Sequence, residues 1–320
     1  MTREPDLLAR LAPIDGLTVT PGAELARLST FRIGGRADLL VEAGEESALR
    51  ALLTVVAEAG EPLQLLGLGS NVLLPDEGLR GVVVRLGGAF KEVSVEGHRV
   101  TAGAAVTLAR VARDTAAAGL AGLEPLAGFP STVGGAVFMN AGCYGTEIVE
   151  LLVEARVCDR RGKPRVVTPA DLEAGYRRTV LQRTGELVLG ATFELAPGDP
   201  AVSQARIEEL NTKRWDSLPS GNPNVGSIFR NPPGDYAGRL IEECGLKGHA
   251  RGAAHISPRH ANVIVNEGGA RAVEVLDLMV VARRAVEKRF GVALEPEVVL
   301  AGGLRSEWER RVAPGRAAGG

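Results

Sequence analysis

The sequence has 320 residues and a formal net charge of −2, with 45% hydrophobic and 24% charged residues. These values are ordinary for a globular protein, and they exclude a disordered or collagen-like chain and the strongly basic surface that binds nucleic acid or anionic membranes. The length predicts two domains at roughly 150 residues each, and 41 glycines, against the roughly 22 expected at average usage, predict many tight turns.

Apolar patterns in the first 200 residues alternate between the periods of strands and helices. In chain order they predict a strand at 37–43, a helix at 47–60, a strand from 62 into a glycine turn at 67–71, a strand at 81–86, a hairpin at 91–103 around Gly97, a helix at 107–119, and strands at 151–158 and 187–195. A glycine-rich stretch occupies 119–145. Strands and helices without a regular strand–helix–strand rhythm indicate the α+β class.

A second region begins after APGDP at 196–200, which interrupts the pattern. It predicts helices at 201–214, 235–245 and 270–290, strands at 261–266 and 296–301, and a loop rich in Pro, Gly and Asn at 218–235. The tail at 305–320 is charged and lacks periodicity, so we predict that it is loose.

Cysteine and histidine usage predicts neither a disulfide framework nor a metal site. Cys143, Cys158 and Cys244 form no CxxC pair, and the four histidines include no HExxH. The first ten residues lead into no apolar signal-peptide region, and no apolar run approaches 18 residues. We therefore expect a cytoplasmic protein with reduced thiols.

The glycines do not form a standard nucleotide-binding fingerprint. Gly67 and Gly69 begin a GxG, but Val72 stands where GxGxxG requires glycine, and no Lys is followed by Ser or Thr as in a P-loop. Two glycine turns, at 67–71 and 127–136, each follow an apolar stretch. Small residues in succession can aim several backbone N–H groups at one anion. The two turns therefore either grip a diphosphate or serve only as tight turns.

The chain resembles one known family in short segments that keep the same order from about residue 20 to 302. The segments are STFRIGGRAD at 29–38, GLGSN at 67–71, the stretch from Pro130 to Gly145, Tyr176-Arg177, GSIFRNP at 226–232, GRLI at 238–241, GLKGH at 245–249 and LEPEV at 294–298. Together they resemble the UDP-N-acetylenolpyruvoylglucosamine reductase (UDP-N-acetylmuramate dehydrogenase) family, flavoenzymes of peptidoglycan precursor synthesis. Only short sequence separates Arg177 from the strand at 187–195, so the chain resembles the shorter form of that family.

The resemblance implies an α+β fold with a FAD-binding region of the vanillyl-alcohol-oxidase (PCMH) type. It implies two FAD-binding subdomains at 20–85 and 86–199 and a substrate domain at 200–304. The implied cofactor is FAD, with NADPH as reductant and UDP-N-acetylglucosamine enolpyruvate as the substrate that becomes UDP-N-acetylmuramate. We expect a monomer that binds neither nucleic acid nor membranes and serves cell-wall synthesis, and with it cell shape and division.

The functional residues of the family carry over to the matching positions. Ser227 is implied as the proton donor, and Arg177 with Glu297 is implied to stabilise an enol-type intermediate. The implied cofactor-binding residues are Arg32, Gly67, Gly69, Ser70, Asn71, Gly128, Pro130, Ser131, Thr132, Gly134, Gly135, Ala136, Asn140, Ala141 and Gly142. The implied substrate-binding residues are Tyr176, Arg214, Arg230, Asn231 and His260, and no metal is implied.

Without the resemblance, each catalytic residue has an ordinary structural explanation. Arg177 precedes Arg178, and adjacent arginines commonly form a solvated surface. Ser227 lies in a Pro/Asn/Gly loop, where serine mostly bonds to the local backbone. Glu297 and Glu295 share one face of a strand-like run, so one of them can simply face solvent.

Several alternatives stay open at this point. Tyr176 is explained equally by a half-buried core position, and His260 by capping of a surface loop. Ser217 stands where the family often has lysine, which leaves open how phosphate of the substrate or of NADPH is held. The rival functions are a flavin oxidoreductase of the same fold on another substrate, which the matches at 226–232 and 238–249 argue against, and a non-catalytic nucleotide-binding relative, which the three catalytic residues argue against.

Overall fold

The computed structural model describes residues 4–219 and 221–313. Its helices are α1 Glu4–Leu11, α2 Glu46–Ala59, α3 Leu108–Ala117, α4 Val133–Met139, α5 Ile148–Leu151, α6 Leu181–Thr184, α7 Pro200–Ser217, α8 Ala237–Glu243, α9 Ala272–Phe290 and α10 Leu304–Val312. Three short 3₁₀ helices span Leu25–Leu28, Gly88–Lys91 and Glu124–Leu126. In the described part of the chain, no helix is both long and apolar enough to cross a membrane.

The strands are mostly short. They are β1 Leu17–Pro21, β2 Ala37–Ala43, β3 Leu63–Leu65, β4 Val72–Leu73, β5 Leu79–Leu86, β6 Val93–Glu96, β7 Arg99–Gly103, β8 Leu120–Ala121, β9 Gly142–Cys143, β10 Thr146–Glu147, β11 Leu152–Cys158, β12 Pro164–Val167, β13 Leu187–Glu194, β14 Ala196–Pro197, β15 Ala250–Arg251, β16 Ala254–Ile256, β17 Ile264–Asn266 and β18 Val299–Leu300. Their contacts divide the chain into two compact units. Unit 1 holds the described residues up to Pro21, Leu39–Leu68 and Gly81–Arg214, and unit 2 holds Gly22–Asp38, Gly69–Arg80 and the described residues from Trp215 onward.

Two sheets organise unit 1. One has the order β1-β2-β5-β3, with β1 antiparallel to β2 and β3 parallel to β5. The other is antiparallel throughout, in the order β12-β11-β13-β7-β6. The first packs its buried strand residues against the apolar face of α2, whose C-terminal cap is Gly60 in the left-handed conformation.

The five-stranded sheet contributes side chains to both apolar cores of unit 1. Val157 lies opposite Val188 and Arg156 opposite Gly190, so Leu189 is an extra residue in β13. Because such a bulge reverses the alternation of faces, Leu187 and Leu189 join the core around α2, whereas Val188 and Ala191 join the core around α3 and α4.

Unit 2 combines a small sheet with three helices. Strands β15, β16 and β17 form an antiparallel sheet, and α8, α9 and α10 contribute to one apolar core with Phe31 and Ile33 from the N-terminal part of the chain. The N-terminus of α9 is capped by Asp76, whose carboxylate accepts from the N–H groups of Ala272 (2.7 Å) and Val273 (3.2 Å). Segments far apart in the chain are thereby joined within one unit.

Most predicted elements agree with the structure to within a few residues, and three differ. The predicted strand at 296–301 is reduced to β18, because Pro296 and Glu297 pair with Phe229 and Ile228 instead of extending it. The predicted strand at 261–266 begins only at Ile264. The predicted loose tail is a helix over Leu304–Val312, since Leu304 and Trp308, one turn apart, are buried in the unit 2 core; residues 314–320 of that prediction lie outside the described residues. The domain boundaries at 85, 199 and 304 stay predictions.

Candidate active site

The first glycine turn, residues 67–71, needs glycine at one position and leaves several backbone donors unused. Gly69 has a φ of +64°, and a Cβ at this position would lie 2.2 Å from the carbonyl oxygen of Leu28. The N–H groups of Gly67, Leu68, Gly69 and Asn71 find no acceptor among the described residues. A turn with this property can bind an anion through its main chain.

The second glycine turn, residues 127–136, uses its glycines mainly for close packing. A Cβ on Gly134 would lie 2.9 Å from Cβ of Ala104. The N–H of Gly134 donates to Ala104 O (2.9 Å), and the N–H of Gly135 donates to Oγ1 of Thr132 (3.2 Å), which caps α4. In unit 1, Gly67 faces this turn, since its Cβ would lie 3.1 Å from the Thr132 hydroxyl.

Asn140 ends α4 in a strained, fully buried position. Its φ is +45° and its side chain is 0% exposed. The amide nitrogen donates to Oε2 of Glu147 (2.8 Å) and to the carbonyl of Gly175 (3.1 Å), and Oδ1 accepts from the N–H of Val149 (3.4 Å). The side chain therefore joins the C-terminal end of α4 to the segment that precedes Arg177.

Arg177 lies next to this segment with its backbone also strained. Its φ is +54°, its Nη2 donates to the carbonyl of Gly142 (2.6 Å), and its guanidinium carbon lies 4.9 Å from the centre of the Tyr176 ring. Arg177 is half-buried, whereas Arg178 is exposed. Tyr176 is 46% exposed, which contradicts the core alternative for this residue.

Ser227 and Glu297 lie on two backbone stretches that pair within unit 2. Phe229 forms an antiparallel bridge with Pro296, and the N–H of Glu297 donates to Ile228 O (2.8 Å). The Ser227 hydroxyl makes no hydrogen bond with a described residue. Glu297 is half-buried, while the side chain of Glu295 is 76% exposed, so the two carboxylates have different environments.

Three other proposed substrate-binding residues differ in their burial and in the groups that they contact. In unit 2, Arg230 has a buried Nε that bonds to no described residue, and its Nη1 lies 4.0 Å from Glu295. Asn231 is exposed and its Oδ1 accepts from the N–H of Ala237 (3.0 Å) at the start of α8. In unit 1, the guanidinium of Arg214 lies 5.7 Å from the centre of the Phe129 ring.

His260 is half-buried beside α8. Its Nδ1 accepts from the N–H of Asn262 (3.3 Å), and its ring approaches Gly238 closely enough that a Cβ there would lie 3.4 Å from Cε1. Burial lowers the pKa of His260, and Lys247 lowers it further. This histidine is therefore neutral at neutral pH.

Each unit thus brings together part of the predicted set. Unit 1 brings Arg177 next to Gly142, close to Asn140, and unit 2 gathers Ser227 and Glu297 with the C-terminal half of the first turn. Arg32, in unit 2, is exposed with a φ of +53°. Sequence reasoning missed Thr30 and Asn224, which bond to each other in unit 2; the only signal was that Thr30 lies in the matched segment at 29–38.

The first turn has the features that the diphosphate of FAD requires. A diphosphate needs converging donors and close backbone approach, and the first turn supplies unused N–H groups next to a glycine that tolerates no side chain. In the second turn, the N–H groups of residues 133–135 already donate hydrogen bonds to other atoms of the protein. This turn therefore contributes close backbone packing instead of donors at those positions.

Comparisons with known proteins agree on one family. A family model described as an FAD binding domain matches residues 37–168, and the model for the C-terminal domain of UDP-N-acetylenolpyruvoylglucosamine reductase matches 218–301. UDP-N-acetylenolpyruvoylglucosamine reductase 2 of Symbiobacterium thermophilum is 42% identical over 87% of this chain and 90% of its own. The corresponding reductase of Rubrobacter xylanophilus is 43% identical over 87% of this chain and 93% of its own.

A solved structure is similar over almost its whole length. The crystal structure of the reductase from Thermus caldophilus has a TM-score of 0.76 and 35% identity, and the match covers 89% of this chain and 98% of that one. These findings confirm the predicted α+β fold with an FAD-binding domain. The vanillyl-alcohol-oxidase type of that domain stays a prediction.

Proposed function

The chain belongs to the UDP-N-acetylenolpyruvoylglucosamine reductase family, and we propose that Arg177, Ser227 and Glu297 carry out the chemistry of its reaction. The protein is an oxidoreductase of peptidoglycan precursor synthesis that uses FAD and NADPH. The substrate we propose is UDP-N-acetylglucosamine enolpyruvate and the product UDP-N-acetylmuramate. A cytoplasmic location, a monomeric state and the boundaries at 85, 199 and 304 belong to the same proposal.

The reaction requires two hydrogens to reach two neighbouring carbons. When bound and reduced by NADPH, FAD would supply hydride for the vinyl methylene carbon. Negative charge then develops on the adjacent carbon and in its carboxylate, so the protein must provide positive charge or donors there and an acid for the carbon.

We assign the proton to Oγ of Ser227. A serine hydroxyl is a weak acid, so this role needs neighbours that favour its deprotonated form. Two features make the hydroxyl available for this role: it bonds to no described residue, so it can bond to the substrate, and backbone pairing fixes its position without the side chain.

We assign stabilisation of the enol-type intermediate to Arg177 and Glu297. The planar guanidinium suits a carboxylate because it offers parallel donors. Arg177 is held by the carbonyl of Gly142 and by the ring of Tyr176, which makes its orientation specific. Glu297 is half-buried on the stretch of backbone that pairs with the Ser227 segment.

One observation carries this proposal. In the described chain, five non-glycine residues have a positive φ, and three of them are Arg32, Asn140 and Arg177, all proposed here as site residues. A left-handed backbone costs roughly 1–2 kcal/mol per non-glycine residue, and such strain persists mainly where function requires it. For FAD, we propose the first turn, Gly67 to Asn71, as the source of main-chain donors, with Arg32 and the stretch from Gly128 to Gly142 as its other contacts.

The test is product formation by the purified enzyme with NADPH. We expect NADPH oxidation to depend on UDP-N-acetylglucosamine enolpyruvate, and mass spectrometry to find a product heavier by two hydrogen atoms. UDP-N-acetylglucosamine, which lacks the enolpyruvyl group, is the matched control and should not stimulate oxidation. NADPH oxidation without this product would instead support a flavin oxidoreductase acting on another substrate.

A further inference from the structure

Thr30 connects the first glycine turn to the segment that carries Ser227. Its N–H donates to the carbonyl of Gly69 (3.1 Å), and its hydroxyl donates to the carbonyl of Asn224 (2.7 Å). Oδ1 of Asn224 in turn accepts from the N–H of Gly226 (3.0 Å), the residue before Ser227. A short chain of hydrogen bonds within unit 2 therefore leads from the turn to the proposed proton donor.

Asn71 connects the same turn to the segment that carries Glu297. Its Nδ2 donates to the carbonyl of Glu297 (3.3 Å), and its own carbonyl accepts from the N–H of Val299 (3.0 Å). The connection continues as the parallel pair β4–β18, in which Val72 lies opposite Val299. The last residue of the turn is thus bonded directly to the segment that carries Glu297.

The turn itself is fixed at its centre. The Gly69 carbonyl accepts from the Ser29 hydroxyl (3.1 Å) as well as from the Thr30 N–H, and the backbone of Leu28 leaves no space for a side chain at Gly69. Movement of this turn relative to Ser29 and Thr30 would break several contacts at once. It is therefore a rigid reference point for the two segments that bond to it.

We propose that Thr30 and Asn71 are positioning residues that hold Ser227 and Glu297 in register with the cofactor turn. Reacting atoms must be placed within a few tenths of an ångström, and a misplacement of about 1 Å can cost a hundredfold in rate. Because both residues bond within or to the first turn, this one turn can fix the positions of the cofactor, Ser227 and Glu297 relative to one another. This inference rests on the proposed function, because it assigns the first turn to FAD.

The first test is hydrogen exchange of the FAD-loaded full-length enzyme, which does not depend on turnover. In Thr30→Val, which keeps the shape but loses the hydroxyl, amide exchange should rise about tenfold at 224–227 and stay unchanged at 299–301, the two ends that do not pair with each other. In Asn71→Ala the pattern should reverse. Thr30→Ser, which restores the hydroxyl, should return exchange at 224–227 to the wild-type level.

The second test follows the two half-reactions separately. Thr30→Val and Asn71→Ala should each slow reoxidation by the enolpyruvyl substrate about tenfold, the loss expected for one hydrogen bond. Thr30 is not among the proposed FAD contacts, so flavin reduction by NADPH should be unchanged in Thr30→Val. Equal exchange changes at both segments in both variants would overturn the proposal, as would Thr30→Ser behaving like Thr30→Val. Thr30→Ala replaces Thr30→Val if the latter does not fold.

The two proposals fail in different ways. A wild-type enzyme that is not reoxidised by the enolpyruvyl substrate contradicts the proposed function, while the exchange pattern still decides whether Thr30 and Asn71 hold their two segments. Normal wild-type turnover with an unchanged exchange pattern in both variants contradicts only the positioning role.

Discussion

The two units position their proposed catalytic residues in different ways. In unit 1, Arg177 and the neighbouring Asn140 have strained backbones and are held by hydrogen bonds from their own side chains. In unit 2, Ser227 and Glu297 are placed by pairing of their backbones, with the Ser227 hydroxyl not bonded to any described residue. Substitution of the catalytic residues in unit 2 should therefore slow the reaction and leave the fold intact. Substitution in unit 1 should also disturb the local structure.

Ser227→Ala gives the largest expected effect and tests the unit 2 half of this comparison. Removal of a general acid typically costs about 10²–10⁴-fold, so reoxidation by substrate should slow by that range. The midpoint of denaturant unfolding and flavin reduction by NADPH should stay at wild-type values. Ser94→Ala, on exposed strand β6, is the matched control; an unchanged reoxidation rate in Ser227→Ala rules out Ser227 as the proton donor.

Asn140→Ala tests the unit 1 half through stability. The variant loses the buried partners of Glu147 and Gly175 and keeps a left-handed backbone, so the free energy of unfolding should fall by about 2–4 kcal/mol. Asn140→Gly loses the same bonds without the strain, and it should be more stable than Asn140→Ala by about 1 kcal/mol. Urea unfolding at a fixed FAD concentration measures both, and equal stability of the two variants would mean that the backbone strain is negligible.

Arg177→Lys separates charge from geometry. Lysine keeps the positive charge but lacks the planar fork that bonds to Gly142, so reoxidation by substrate should slow about 10- to 100-fold. Flavin reduction by NADPH should not change. Arg178→Lys alters the exposed neighbour and serves as the control. If reoxidation is equally fast in the two variants, Arg177 has no more part in the reaction than this surface residue.

His260 gives the smallest effect and concerns pH. Because burial lowers its pKa, the unfolded chain takes up a proton near pH 6.5 while the folded protein still holds the neutral ring. The free energy of unfolding should therefore fall as the pH drops below about 6.5, toward the lower folded pKa. His260→Gln should remove this part of the pH dependence. A pH profile identical to that of the wild type would contradict the assignment.

Local sequence predicted the elements whose apolar period is clear and missed those that depend on distant partners. Helix α2, with its glycine cap, and the hairpin at Gly97 follow from nearby residues alone. Helix α4 was not predicted because its two adjacent glycines disfavour helix, and packing of Gly134 on Ala104 overrides that preference. Helix α10 depends on burial of Leu304 and Trp308 in a core built by other segments.

The site shows the same limit. The resemblance supplied Arg177, Ser227 and Glu297, but no pattern in the sequence predicts that Thr30 bonds to Asn224, 194 residues away, or that Asn71 bonds to Glu297, 226 residues away. Such contacts depend on tertiary packing. The strained backbone of Arg177 was equally invisible, because left-handed geometry is not encoded by a local preference of arginine.

The most direct test of the account is the visible absorption spectrum of the purified protein under anaerobic conditions, first with NADPH and then with UDP-N-acetylglucosamine enolpyruvate. We predict a flavin spectrum that NADPH bleaches and that returns when the enolpyruvyl sugar nucleotide is added. A colourless protein that takes up no added FAD would contradict the account, because the two glycine turns would then be turns only.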